Sequence, residues 1–168
     1  DCFNRALAGD PGSVEALGWL GVTKCMHYET DFDYDELLQG ISLISQCIAR
    51  DPGNAQAYVG YSLYVGVTEG IEPSRAAIDH ALSLNPGDIY ANVQRALVAI
   101  YEGDNDLANE WLRRSHKLSP NPLPWVAEYA ALIAFQDGRY REAMQGLAAK
   151  SGCAWQMMYL IACHGHLD

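Results

Sequence analysis

The chain has 168 residues, 49% of them hydrophobic and 19% charged, a composition that suits a packed globular fold and argues against a disordered segment. The formal net charge of −10 argues against direct contact with nucleic acid or an anionic membrane, whose binding rests on Lys and Arg. No apolar run approaches the ~20 residues that span a bilayer, and no secretory signal pattern opens the chain.

Taken in order, the elements are framed by four prolines, Pro11, Pro52, Pro86 and Pro120, spaced by 41, 34 and 34 residues. Residues 1–10 read as the end of a truncated repeat. Asp1 falls in mid-pattern without an initiator Met, so the chain reads as a piece of a longer protein. Residues 11–51 form an elongated repeat with an insertion of seven near residues 27–33. Asp31, Asp33, Asp35 and Glu36 there invite a calcium reading. No glycine supplies the sharp turn of such a loop and no Glu closes it. The expectation is a solvated loop, with Asp33 or Asp35 capping the next helix. Residues 52–85 and 86–119 are two regular repeats, broken in the middle by Glu69-Gly70-Ile71-Glu72-Pro73 and by Glu102-Gly103-Asp104-Asn105. Residues 120–151 form another, broken at Asp137-Gly138-Arg139, its turn one residue late and the shift absorbed by Asn121-Pro122-Leu123-Pro124. Residues 152–168 read as the first helix of a further repeat.

Three offsets from the prolines agree. Five residues before each stand Ala6, Cys47, Ala81 and Ser115, all small. Eight before stand Phe3, Ile44, Ile78 and Leu112, all bulky and apolar. Ten after stand Gly21, Ser62, Ala96 and Ala130, again small. A small and a bulky residue three apart share one helix face. The small one admits a neighbouring helix and the bulky one fills the space beside it. Proline ends the helix before it and suits the start of the next. Ser13, Asn54 and Asp88 lie just after and can cap the incoming helix. Each repeat therefore predicts two helices of about 13–15 residues. No stretch shows the alternation of a half-buried strand.

A 34-residue helix–turn–helix unit resembles the tetratricopeptide repeat (TPR). Asp137-Gly138-Arg139-Tyr140-Arg141-Glu142-Ala143 is similar to that family's Gly-x-Tyr-x-Glu-Ala turn and helix start. The resemblance implies an all-α fold, a right-handed superhelical solenoid of antiparallel helix pairs. The elongated first repeat, the run Asn121-Pro122-Leu123-Pro124-Trp125, and the final stretch from Trp155 to Cys163 resemble a narrower group. These are the C-terminal TPR regions of bacterial class III adenylate and guanylate cyclases and of winged-helix transcriptional regulators. That resemblance implies a regulatory module without catalysis or cofactor.

In TPR arrays the first helices line the concave side. The projected wall carries Gln56, Val59, Leu63 and Val67, then Tyr90, Val93, Leu97 and Tyr101, then Trp125, Glu128 and Leu132. It is apolar and aromatic, with almost no basic residue. TPR domains that clamp the acidic tails of heat-shock chaperones use Lys, Arg and Asn on this wall, so that function is not expected here. An amphipathic helix, an extended apolar peptide or a neighbouring domain of the same chain fits better. Homodimerisation through the same wall is an alternative, and so is burial of part of the stripe as core.

Other constellations compete with this reading. The five cysteines, Cys2, Cys25, Cys47, Cys153 and Cys163, are odd in number and loosely spaced. They read as reduced thiols packed as small apolar groups in a cytoplasmic protein. Cys163-His164-Gly165-His166, with Cys153, is the one metal-like or enzyme-like cluster, but zinc needs about four converging ligands. His80 and His116 lack a nucleophile partner in a recognisable motif. Arg113 and Arg114 beside Trp111 read as surface ion pairs with Glu110 or Asp106, or as a cation–π contact.

Overall fold

The computed structural model describes residues 2–119, 121, 126–148 and 154–167. Among these, every regular element is a helix: α1 (Cys2–Gly9), α2 (Val14–Asp31), α3 (Tyr34–Arg50), α4 (Ala55–Thr68), α5 (Ile71–Leu84), α6 (Ile89–Glu102), α7 (Asn105–Leu118), α8 (Val126–Gln136), α9 (Tyr140–Ala148) and α10 (Ala154–Leu167). They fall into two compact units, Asp1–Gln94 and Arg95–Asp168, with the boundary inside α6.

The helix starts follow the expected caps. Ser13 Oγ accepts from the Ala16 amide at 3.3 Å, Asn54 Oδ1 from Ala57 at 3.0 Å and Asp88 Oδ1 from Ala91 at 2.9 Å. Each satisfies an amide that the first turn leaves without an intrahelical partner. Asp33 caps α3 through the Glu36 amide at 3.0 Å. The turns close where glycine was expected, with positive φ at Gly70, Gly103 and Gly138.

In the first unit, α2 packs on α3, α4 on α5, and α3 on α4. Leu17, Cys25, Leu37, Ile41, Ile44, Cys47, Ala57 and Tyr64 form a buried cluster. Its tightest point is where α2 meets α3: a Cβ at Gly21 would lie 2.7 Å from the Gly40 carbonyl oxygen, and one at Gly40 the same distance from the Gly21 carbonyl oxygen. Thus the small residue ten after Pro11 does admit its neighbour. The equivalent Ser62 in α4 is fully buried; Ser74 Oγ donates to its carbonyl at 2.6 Å, and the two hydroxyls lie 3.2 Å apart.

The insertion of seven is not a loop. α2 has 18 residues against 14 in α4, and α3 has 17 against 14 in α5. Both hairpins begin three residues after a proline, end two before the next, and turn through two residues. The surplus of four and three is therefore the whole insertion, spent as about one extra turn on each helix at the tip. Near 3.6 residues per turn, such an addition returns each helix to the same face. The expected solvated connector is corrected accordingly: only Phe32 and Asp33 lie outside helix, and Asp31 closes α2.

In the second unit, α8 packs on α9, α9 on α10 and α7 on α8. Ala134, Ala143 and Cys163 are buried together, with Phe135, Tyr140 and Met144 against them. Gln136 Nε2 donates to the Ile100 carbonyl at 2.8 Å, and Asn105 Nδ2 to Asp137 Oδ1 at 2.7 Å. The Arg95–Glu102 ion pair, 3.3 Å, is largely withdrawn from solvent. One register expectation fails here. Ala130 is exposed and Ala131 is buried, and a Cβ at Gly146 would meet the Ala131 Cβ at 2.7 Å. The small contact residue is shifted by one, in step with the late turn of this repeat.

Candidate interaction faces

Within the first unit, the projected first-helix residues divide by burial. Val59 and Val93 are buried, and Leu63 packs against the core cluster. Val67 and Tyr90 are about half exposed. Gln56 lies between these extremes and lines a hollow. In the second unit Leu97 and Leu132 are buried, Glu128 is half-buried and Tyr101 is exposed. Trp125 lies outside the described residues. The stripe is thus part core and part surface. Exposure within it is decided by what packs beside each helix, which a repeat offset does not encode.

The hollow, of about 120 Å³, lies between α2 and the start of α4 and is lined by Glu15, Gly18, Trp19, Val22, Cys47, Asn54, Gln56 and Ala57. Its size suits one aliphatic side chain. Gly18 leaves it open, since a Cβ there would lie 3.0 Å from Cys47 Sγ. Trp19 is 44% exposed and stacks on Phe3 at 6.5 Å and 14°. No lysine or arginine lines the hollow, and Glu15 is its one carboxylate. Sequence reasoning missed Glu15, Gly18, Trp19 and Val22. The signal was available: Glu15, Gly18 and Val22 stand 4, 7 and 11 after Pro11, as Gln56, Val59 and Leu63 do after Pro52.

Reactive groups sit elsewhere or are shielded. Burial pushes the Cys25 thiol up to about 12, and raises Cys47 and Cys163 as well. These three are packed as small apolar groups, whereas Cys2 is exposed; Cys153 lies outside the described residues. Cys163 is committed to the α8–α10 core, and His166 stacks on Tyr140 at 4.3 Å. Among the described residues, no three His, Cys, Asp or Glu side chains converge as metal ligands would. His80 packs edge-on against Tyr58 at 4.4 Å. The Arg114 guanidinium lies 5.0 Å over the Trp111 ring, the cation–π alternative to the surface ion pairs first expected for that stretch. Among the described residues no helix is long and apolar enough to cross a membrane.

Solved structures of TPR proteins align with most of this chain. A thermophilic TPR protein from Thermus thermophilus superposes with a TM-score of 0.69 at 22% identity, over 98% of this chain and 87% of that one. The fold is the tetratricopeptide repeat fold. YrrB, a TPR protein with an unusual peptide-binding site, gives 0.60 at 17% identity over 89% and 73% of the two chains. Pseudomonas aeruginosa pilF gives 0.60 at 20% over 96% and 72%. No family model and no curated relative matches the chain. At these identities the TPR likeness concerns the fold; any binding role must be argued from this chain's own surface.

Proposed function

We propose that this chain is a non-catalytic protein-interaction module that holds a peptide or amphipathic helix on the first-helix faces of α2 and α4. The hollow beside Trp19 carries this reading. It is open, lined by apolar and amide side chains at repeat-equivalent positions, and matched in size to a single aliphatic anchor. Gln56 offers an amide group to a ligand backbone beside that anchor, while the Asn54 amide is held as the cap of α4. The peptide-binding site ascribed to YrrB is consistent with such use of the fold. The chain would serve as the regulatory region of a bacterial cytoplasmic signalling or transcription protein, with no nucleic-acid or membrane contact of its own, in line with its net charge of −10.

Selection of displayed random peptides on the purified chain tests this. The expected result is enrichment of sequences with an aliphatic anchor, lost on Trp19→Ala and on Gly18→Leu while the melting midpoint of the first variant holds. Enrichment indifferent to both substitutions would overturn it.

Self-association is the second reading. It is favoured by the half-exposed Met157, Met158 and Ile161 on α10, an apolar face of a kind that often marks an interface. Light scattering over a range of concentrations distinguishes the two: an 18.5 kDa monomer throughout removes it, and a dimer broken by Ile161→Glu establishes it.

A further inference from the structure

The tip of the α2–α3 hairpin carries a second surface, separate from the hollow. We propose that it docks a cationic, arginine-bearing segment of a partner protein. The extra turns there are residues 28–31 of α2 and 34–36 of α3. Of those whose side chains are described, none is buried: Tyr28 and Glu36 are half-buried, and Tyr34 and Asp35 are exposed. The first fully buried side chain beyond them is Leu37, the residue at which a 14-residue second helix would begin by analogy with Ile71 in α5. Of the added turns, Tyr28 packs against the core cluster from its edge, and the other described side chains lie outside it. The turns are held by a polar clasp, with Lys24 Nζ 3.4 Å from Glu36 Oε1 and 3.2 Å from Gln39 Oε1, and His27 Nδ1 3.2 Å from Glu36 Oε2.

What the turns do is present aromatic rings. Phe32 is 52% exposed and Tyr34 49%, and both rings meet Tyr28 edge-on, at 5.7 and 6.4 Å. Phe32 also holds a positive φ of 54°, a conformation that a bulky residue adopts at a cost and glycine adopts freely. A residue chosen only to end the helix at such a φ would be glycine, as at Gly103 just after α6, φ 79°. Beside these rings stand the exposed carboxylates of Asp33 and Asp35. The nearby Lys24 and His27 side chains are engaged with Glu36. Exposed ring faces next to carboxylates suit a guanidinium, which can stack on one and pair with the other. A second copy of this chain is a poor occupant, because each carries a net charge of −10 and like charges repel.

The experiment is fluorescence anisotropy of a labelled dodecapeptide of alternating arginine and alanine, titrated with the full chain at moderate salt. Phe32→Gly is the decisive variant: it changes no charge and supplies the residue the backbone prefers. The expected result is at least ~5-fold weaker binding with the melting midpoint unchanged or raised, and a similar loss for Asp35→Asn, each falling further as salt rises. Asp106→Asn, an exposed carboxylate of α7, should leave binding within ~2-fold. Absence of binding by the wild type, equal losses for Asp106→Asn and Asp35→Asn, or unchanged binding by Phe32→Gly would overturn the proposal. So would a lowered midpoint for Phe32→Gly, since the ring would then be serving the fold. Peptide selection on the hollow is read out independently, so either reading can fail alone.

Discussion

The α2–α3 and α4–α5 hairpins are two renderings of one plan, alike where their helices pack and different at the tip. At the base both start three residues after a proline, cap with a polar side chain and bury a small residue where the two helices meet. Gly21 lies against Gly40 in the first hairpin and Ser62 against Ser74 in the second. At the tip they part. α4–α5 closes at once through Gly70, at φ 98°. α2–α3 runs on for about one turn per helix, closes through Phe32 and displays aromatic rings and carboxylates. Bases are constrained by close packing; tips are free to lengthen in whole turns without disturbing the buried face.

The sharpest way to break this comparison is at a base. Gly40→Leu forces a side chain against the Gly21 carbonyl and should cost about 3 kcal/mol or more in urea unfolding; a cost near zero would mean the helices do not touch there. Next is Gly70→Ala. No atom lies within 4 Å of the added methyl, so the cost, about 1–3 kcal/mol, is that of the backbone conformation alone. Ser74→Ala in the second base removes the hydroxyl bonded to Ser62, and should cost about 1 kcal/mol. The smallest effect is electrostatic and lies in the second unit. Hydrogen bonds from Arg139 and Asn105 hold the Asp137 carboxyl below its ordinary value of 3.8. A group depressed on folding stabilises above its unfolded value and loses that contribution as pH falls through its folded one. Wild type and Asp137→Asn should therefore differ slightly in melting midpoint at pH 6 and converge below pH 3.8. The carboxyl is well exposed, so solvent screens the effect.

Much of the fold was legible because it is written in backbone chemistry. Proline and glycine punctuate, Ser13, Asn54 and Asp88 cap, and small residues recur where helices meet. These signals are local and survive without knowledge of neighbours. Three things were not legible for the opposite reason. Whether residues 27–33 would be loop or helix turned on one residue, Phe32, taking a conformation its type disfavours. Ala131 rather than Ala130 became the contact residue, a one-residue shift that matches the late turn of this repeat and that a fixed offset from Pro120 does not carry. Four of the eleven projected wall residues, Val59, Val93, Leu97 and Leu132, went inside, since burial of an apolar stripe depends on what lies against it. The hollow at Trp19 was missed because the repeat offsets were projected forward from Pro52 and not from Pro11.

The most direct measurement is an amide chemical-shift map of the full chain titrated with a peptide selected on it. Ligand held on the first-helix faces predicts that the largest shifts fall on Glu15, Gly18, Trp19, Val22 and Gln56, with the outer face of α5 silent. Shifts concentrated on α5 or α10, with those five residues unmoved, would contradict it.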